Sequence, residues 1–305
     1  MKKKLIQLCL TVLILLPTAA CTAADDSIED AKALYNKGIT FGEQGKLNEE
    51  IATYDEVVKK YGTSTDLALQ EQVANSLYNK AGALSDQNKL DEAIANYNEI
   101  IKRLDKSTEP ILQKVVAMSL HRKGSILRKQ GKLNEAIPNF NNVIERFSAS
   151  SDPALQERVA MAFTNKGTTL AEQEKLDEAI ASCNEMIKRF GASTAPGLQP
   201  IIAKNTVNKG IMLTTQGKLD LAIVSFDEAI NRYKLSSEPK IQGEVANALI
   251  KKANALYDQG KAEEAIVHYD ELIKLFEKSE IPSLQEMVTG ARTNKEFITS
   301  QRKTN

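Results

Sequence analysis

The sequence predicts an all-α chain: a superhelical solenoid of six helix-turn-helix repeats, closed by a C-terminal capping helix. Three observations predict it. A lysine returns every 43 residues, from Lys37 through Lys80, Lys123, Lys166, Lys209 and Lys252 to Lys295, without insertion. The block Gly45-Lys-Leu-Asn-Glu-Glu-Ile51 returns in the same frame and ends in Ile94, Ile137, Ile180, Ile223 and Ile266. Within each unit, apolar residues recur at spacings of three and four, which places them on one face of a helix. A single helix pair cannot bury such a face, whereas stacked pairs can.

Composition narrows the function classes. Of 305 residues, 26% are charged and 42% hydrophobic, too apolar for disorder. The formal net charge is +0, and without the first twenty residues 37 basic side chains face 40 acidic ones. No basic surface for nucleic acid follows from that balance.

Residues 1–20 read as a signal peptide. Lys2, Lys3 and Lys4 form its positive region, Leu5 to Leu16 its apolar run, and Ala19-Ala20 its small-residue end. The run Thr18-Ala19-Ala20-Cys21 resembles the lipobox of bacterial lipoproteins, in which the cysteine is acylated and becomes the first mature residue. Thr18 stands where that pattern prefers leucine, so simple secretion with cleavage after Ala20 or Ala24 is the alternative. Cys9 would be removed and Cys21 capped, leaving Cys183 and no disulfide within one chain. Residues 21–27 are expected as a short tether and 28–302 as the solenoid.

Helix B of each unit is read from the isoleucine column with Tyr54, Tyr97, Phe140, Cys183, Phe226 and Tyr269 three residues on. It spans about 14 residues, and Asn48, Asp91, Asn134, Asp177 and Asp220 are expected to cap its start. Helix A, from about 66 to 86 in the second unit, follows a serine (Ser64, Ser107, Ser150, Ser193, Ser236, Ser279) and a proline. In the first unit Ser27 to Asp30 reads as a capping box. A seventh helix A, about 282–301, ends in polar residues and caps the array. Pro200 falls inside a helix A start and is expected to kink or delay it.

The stretch from Ala33 to Gly62 resembles a tetratricopeptide repeat (TPR): Leu34, Gly38, Phe41 and Tyr54 match that family's packing positions, and Ala93, Ala136, Ala179, Ala222 and Ala265 its helix-B alanine. The usual tryptophan is Leu or Phe here, and the extra nine residues over a 34-residue period read as an extension of helix A. The resemblance implies a protein-binding groove lined by helix A. On that side the columns give Tyr35, Tyr78, His121, Thr164, Val207 and Ile250, beside Asn36, Asn79, Arg122, Asn165, Asn208 and Lys251. Further columns give Ile39, Gly82, Ser125, Thr168, Ile211 and Asn254, and Lys32, Asn75, Met118, Met161, Lys204 and Asn247. The carboxylate clamp of some TPR domains is matched by Asn79 and Arg122 but not by Tyr35, Ile39 or Met118, so no clamp is predicted. His121, Arg122 and Arg128 form the most asymmetric patch, a candidate for an acidic segment. A solvated helix face is the plainer reading.

The recurring lysine lies at the edge of the buried stripe, where its methylenes cover apolar surface and its ammonium reaches helix-B acids such as Asp55 or Asp270. An anion-binding ladder is the alternative. Cys183 reads as core filler. Neither a nucleophile motif nor a phosphate loop occurs, and no metal, cofactor or catalytic residue is predicted. The function expected is an exported scaffold for an unidentified protein partner, anchored to the membrane at Cys21 in the bacterial envelope. The lipid-anchored repeat proteins of outer-membrane or pilus assembly machineries are similar in outline. A soluble secreted adaptor is the alternative, with an enzyme or a nucleic-acid-binding repeat further behind.

Overall fold

The computed structural model describes the backbone of residues 18–304 and the side chains of residues 25–301. Residues 1–17 of the signal segment and the side chain of Cys21, the expected lipidation site, lie outside the described residues. Every described element is helical. The A helices are α1 (Thr18–Glu43), α3 (Leu67–Asp86), α5 (Pro110–Lys129), α7 (Pro153–Glu172), α9 (Gln199–Thr215), α11 (Pro239–Asp258) and α13 (Pro282–Thr304). The B helices are α2 (Leu47–Tyr61), α4 (Leu90–Leu104), α6 (Leu133–Phe147), α8 (Leu176–Phe190), α10 (Leu219–Tyr233) and α12 (Ala262–Phe276). Among the described residues, no helix is long and apolar enough to cross a membrane.

The described residues divide into two compact units, one up to Glu99 and one from Ile100. In the first, α1 packs on α2 and α3 packs on both. In the second, each A helix touches the next A helix, and each of α6, α8, α10 and α12 packs between its own A helix and the next. Most A helices have 20 residues, about 30 Å at 1.5 Å per residue. The B helices have 15, so the difference is five residues.

Close approach of A and B sets the small/large code. An ideal Cβ on Gly38 would lie 2.5 Å from Tyr54, one on Gly124 2.8 Å from Phe140, and one on Gly210 2.4 Å from Phe226. These three rings are fully buried. Cys183 fills the same column opposite Gly167, and burial pushes its thiol up to about 12. It is inert packing, as its position implies.

Conserved spacing becomes a set of ladders at the seams between repeats. Lys80 donates to Asp55, Lys252 to Asp227 and Lys295 to Asp270, each at 2.6 Å. The acceptor always lies on the B helix of the preceding repeat. Lys80 and Lys252 are only 19% and 12% exposed, so at these seams the lysine is a packing device; before Lys123, Lys166 and Lys209 the acid's place is taken by Asn98, Asn141 and Asn184. A second ladder runs from the glutamine after helix A. Gln87 donates to Asn48, Gln173 to Asn134, Gln216 to Asp177 and Gln259 to Asp220, at 2.8–2.9 Å. This corrects the expected capping role of Asn48, Asn134, Asp177 and Asp220. The N-cap residues are Lys46, Lys132, Lys175 and Lys218, with no side-chain cap bond, and the Asn/Asp oxygen serves the next repeat instead. Near the end of helix B, Arg146 donates to Asp105, and Arg189 and Arg232 to loop carbonyls of Ser148 and Gly191.

The serine column also shifts its role. Ser64, Ser107, Ser150 and Ser236 each accept from the backbone N–H two residues on, and that later residue is the N-cap of helix A. Asp66 and Asp152 then accept from helix N–H groups. Gln70, Gln113, Gln156, Gln199, Gln242 and Gln285 close the same turn by donating to the serine carbonyl.

Two starts depart from the pattern. α1 begins at Thr18, so residues 21–27, expected as a tether, continue the helix and Ser27 does not start it. Ala19, Ala20, Ala23 and Ala24 carry high helix propensity through that stretch. At the other, Pro200 has the expected effect. A 3-10 turn at Pro196–Leu198 precedes α9, which has 17 residues instead of 20.

Candidate functional site

The structure sorts the predicted groove residues into three groups. Those of the first unit hold repeats together. Tyr35 and Tyr78 stack against the helix-B rings of Tyr54 and Tyr97 at 5.9 and 5.7 Å. Asn79 donates to the hydroxyls of both Tyr35 and Tyr54. Asn36 is exposed.

The second group is buried. His121, Thr164 and Val207 are 6%, 5% and 0% exposed, which takes His121 and Val207 out of the groove. His121 meets Phe140 edge-on at 6.0 Å and shares a 2.7 Å hydrogen bond with Asn165. Burial, then the charges of Arg158, Arg122 and Arg128, lower its pKa to about 4. Thr164 donates to the Ala160 carbonyl. The physical reason is that one helical wheel anchored at Leu34 counts only the partner helix B. An A helix is also pressed by the A helices before and after it, so its buried arc is wider. Arg128 is likewise engaged, at 2.9 Å from Glu172 on the next A helix, and the patch of His121, Arg122 and Arg128 is not a continuous cationic surface. Arg122 alone of the three is exposed. Asn208, Ile250 and Lys251 are half-buried on their helices.

Thr164 and Asn165 also belong to the third group, because they border a cavity of about 540 Å3 on the A-helix face of the second unit. Glu157 and Met161 join them from α7. Gly197, Pro200, Ile201 and Lys204 come from the 3-10 turn and α9, and Lys240 and Glu244 from α11. The cavity is made by missing side chains. The 43-residue column Glu71, Lys114, Glu157, Pro200, Gly243, Glu286 loses its long charged residue at two adjacent repeats. A Cβ on Gly243 would meet nothing within 4 Å. Gly197 is required for a different reason. The Glu157 carboxylate lies against it, and an ideal Cβ there would be 1.7 Å from Glu157 Oε1.

Sequence reasoning placed Met161, Thr164, Asn165 and Lys204 on this face, named Pro200 only as an irregular helix start, and missed Glu157, Gly197, Ile201, Lys240 and Glu244. A signal was present. Lys240 stands in a column of Ala68, Ile111, Ala154, Gly197 and Ser283, in the first turn of α11. A cation there faces the positive end of the helix dipole. Glu244 is half-buried, and burial raises its carboxyl above the usual range while the Lys204 charge opposes that rise. A larger cavity of about 590 Å3 lies beside α13. Its Lys295 and Asp270 already pair at 2.6 Å.

Solved structures share this architecture. BtubC from P. vanneervenii is similar with a TM-score of 0.61 at 15% identity, covering 75% of this chain and 90% of that one. PilW, described as a widely conserved type IV pilus biogenesis factor, gives 0.54 at 15% identity over 85% and 98%. Pseudomonas aeruginosa pilF gives 0.52 at 14% identity over 87% and 99%. At such identities the likeness is one of fold. No curated protein sequence matches. Family models described as tetratricopeptide repeat match residues 32–64 and 247–279, 74–103, and 121–194, together more than half of the chain. With helix pairs stacked through the Gly/aromatic code and no strand among the described residues, the chain belongs to the tetratricopeptide repeat family.

Proposed function

We propose that this TPR protein is an exported scaffold, held at a bacterial membrane by lipid on Cys21, that binds a segment of a partner protein on its A-helix face. The observation that carries the binding reading is the cavity between α7, α9 and α11. The seams on either side keep their ladders in register, while on that one face Pro200 and Gly243 stand where other repeats carry a long charged side chain. A fold that only needed to stack would fill the cavity.

Export and anchoring are supported by the sequence: the Lys2–Lys4 charge, the apolar run and the Thr18-Ala19-Ala20-Cys21 junction. Helix α1 runs through residue 21 and on to Glu43, so a lipid on Cys21 would sit on that helix, without a flexible spacer before the first repeat. The stack would stand close to the bilayer surface, with several acyl chains giving stable attachment.

Two measurements test the reading. Labelled palmitate should enter the wild-type protein and not Cys21→Ala, and the variant should move to the soluble fraction. Equal labelling, or a variant that stays in the membrane, rejects the anchor. Crosslinking from membranes should return a discrete protein partner, and reproducible absence of any partner rejects the scaffold.

A further inference from the structure

Resting on the scaffold reading, we propose that the cavity between α7, α9 and α11 selects an extended partner segment with a basic side chain, a central apolar side chain and an acidic side chain in that spatial order. The floor is apolar and adaptable, formed by Met161, Pro200 and Ile201. Methionine reshapes around different side chains at little cost, which suits an anchor pocket. Above the floor stand two charges of each sign. Lys204 on α9 and Glu244 on α11 border the cavity together, and the Lys204 charge opposes the rise that burial gives the Glu244 carboxyl. Glu157 on α7 and Lys240 on α11 form no ion pair among the described residues. They mark the two ends of the site.

Glu157 keeps the charge its column carries in other repeats, whereas Lys240 is held against local preference. Glu157 needs a glycine at 197 to lie where it does. Lys240 sits at a helix start that disfavours it, in a column otherwise small or apolar. A charge kept at such a position is expected where a ligand completes it. The span fixes the spacing. Neighbouring packed helices lie roughly 8–10 Å apart, so α7 to α11 is about 16–20 Å. An extended chain covers that in about five or six residues at roughly 3.3 Å each. The basic side chain pairs with Glu157, the apolar one fills the floor midway, and the acidic one pairs with Lys240.

The test selects a randomised 12-residue peptide library displayed on phage against the full chain in detergent micelles, in parallel with Lys240→Glu. Lys240 is exposed, and the change relieves a dipole clash, so the variant folds; its circular-dichroism melt checks this. Wild type is expected to enrich base, apolar and acid at the stated span, and Lys240→Glu to enrich a base at the former acidic position. The best wild-type peptide should lose at least about tenfold in affinity on Lys240→Glu and recover when its acid becomes lysine. Absence of enrichment, or equal binding of the selected peptide to both proteins, overturns the proposal. Membrane crosslinking separates the two levels. A partner captured equally by wild type and Lys240→Glu rejects this site and leaves the scaffold standing. A partner captured by neither protein rejects the scaffold itself.

Discussion

The seam between α10 and α11 and the face between α9 and α11 are a few ångströms of helix apart and obey different rules. At the seam the recurring side chains meet partners on the neighbouring repeat. Lys252 meets Asp227, Gln259 meets Asp220, and Gly210 admits the Phe226 ring of its own repeat just below. On the face, Pro200 and Gly243 stand where other repeats carry charge, and Lys240 stands where they carry small residues. The seam teaches what a 43-residue period conserves, which is the offset between repeats. The face shows where the period has been left free to vary.

The same substitution at two glycines separates the regions most sharply. Gly210→Leu drives a side chain into Phe226, where even Cβ is at 2.4 Å, and should cost about 3 kcal/mol. Gly243→Leu enters open space on a helix and should raise stability by roughly 0.5–1 kcal/mol through helix propensity. It should also block the cavity, so peptide capture falls as the urea midpoint rises. Equal midpoint shifts would erase the distinction between seam and face. Gly210→Ala is the control. Its Cβ alone would lie 2.4 Å from the Phe226 ring, so the ring must shift as those of Tyr97 and Tyr269 do opposite Ala81 and Ala253, and the cost should fall between wild type and leucine.

His121 tests whether a predicted face residue in fact belongs to the seam. Its imidazole is buried and its folded pKa is about 4, against an ordinary 6.5. The unfolded chain therefore binds a proton between those values that the folded chain refuses. Stability is full above pH 6.5, falls as pH drops through that window, and levels off below about 4, for a loss of up to about 3 kcal/mol. His121→Tyr installs the residue of the first two repeats, and Asn165 can serve its hydroxyl as Asn79 serves Tyr35. The variant should match wild type at pH 7.5 and lose less stability by pH 4.5. An unchanged difference between the two pH values would place His121 in water.

How much of this was legible follows from geometry. The Gly/aromatic code, the helix pairs and the lysine column are visible because they repeat within one frame. The lysine column's acids were legible too, since Asp55 and Asp270 are the residues met by Lys80 and Lys295; the partners of the glutamine column, 39 residues back, were not, because that offset depends on how one repeat rotates onto the next. The same blindness made Asp177 look like a helix cap and Val207 look like a groove residue. Glu157 and Lys240 were missed because sequence columns were compared for what they share, and the site is made where two columns break.

The lysine ladder gives a smaller effect with a defined asymmetry. Lys252 is 12% exposed and Asp227 40%. Lys252→Met keeps the methylene packing and leaves Asp227 to water, so it should cost less than about 1 kcal/mol. Lys252→Asp sets two carboxylates at the seam and should cost about 1–2 kcal/mol, less at high salt. Thermal melts at low and high salt would show it, and equal tolerance of both changes would remove the lysine from the seam.

The smallest expected change lies in the turn between helices A and B. Gly45, Gly131, Gly217 and Gly260 take φ of +71° to +78° there, while Asn88 and Glu174 hold +60° and +63°. The hydrogen bonds are the same in each case: Glu174 N–H donates to Ala171 and Lys175 N–H to Leu170, as Gly131 does to Arg128 and Lys132 to Leu127. This is a helix end that needs a left-handed residue, and glutamate adopts that conformation at a cost of roughly 1 kcal/mol or more. Glu174→Gly removes the cost but adds freedom to the unfolded chain, so the net gain should be about 0.5–1 kcal/mol. Glu174→Asn, copying Asn88, should fall between. Urea midpoints ordered Gly, Asn, Glu would show that the fourth repeat carries local strain at a turn its neighbours have relaxed. A midpoint unchanged by Gly would mean that the Glu174 side chain contributes something at this turn that offsets its backbone.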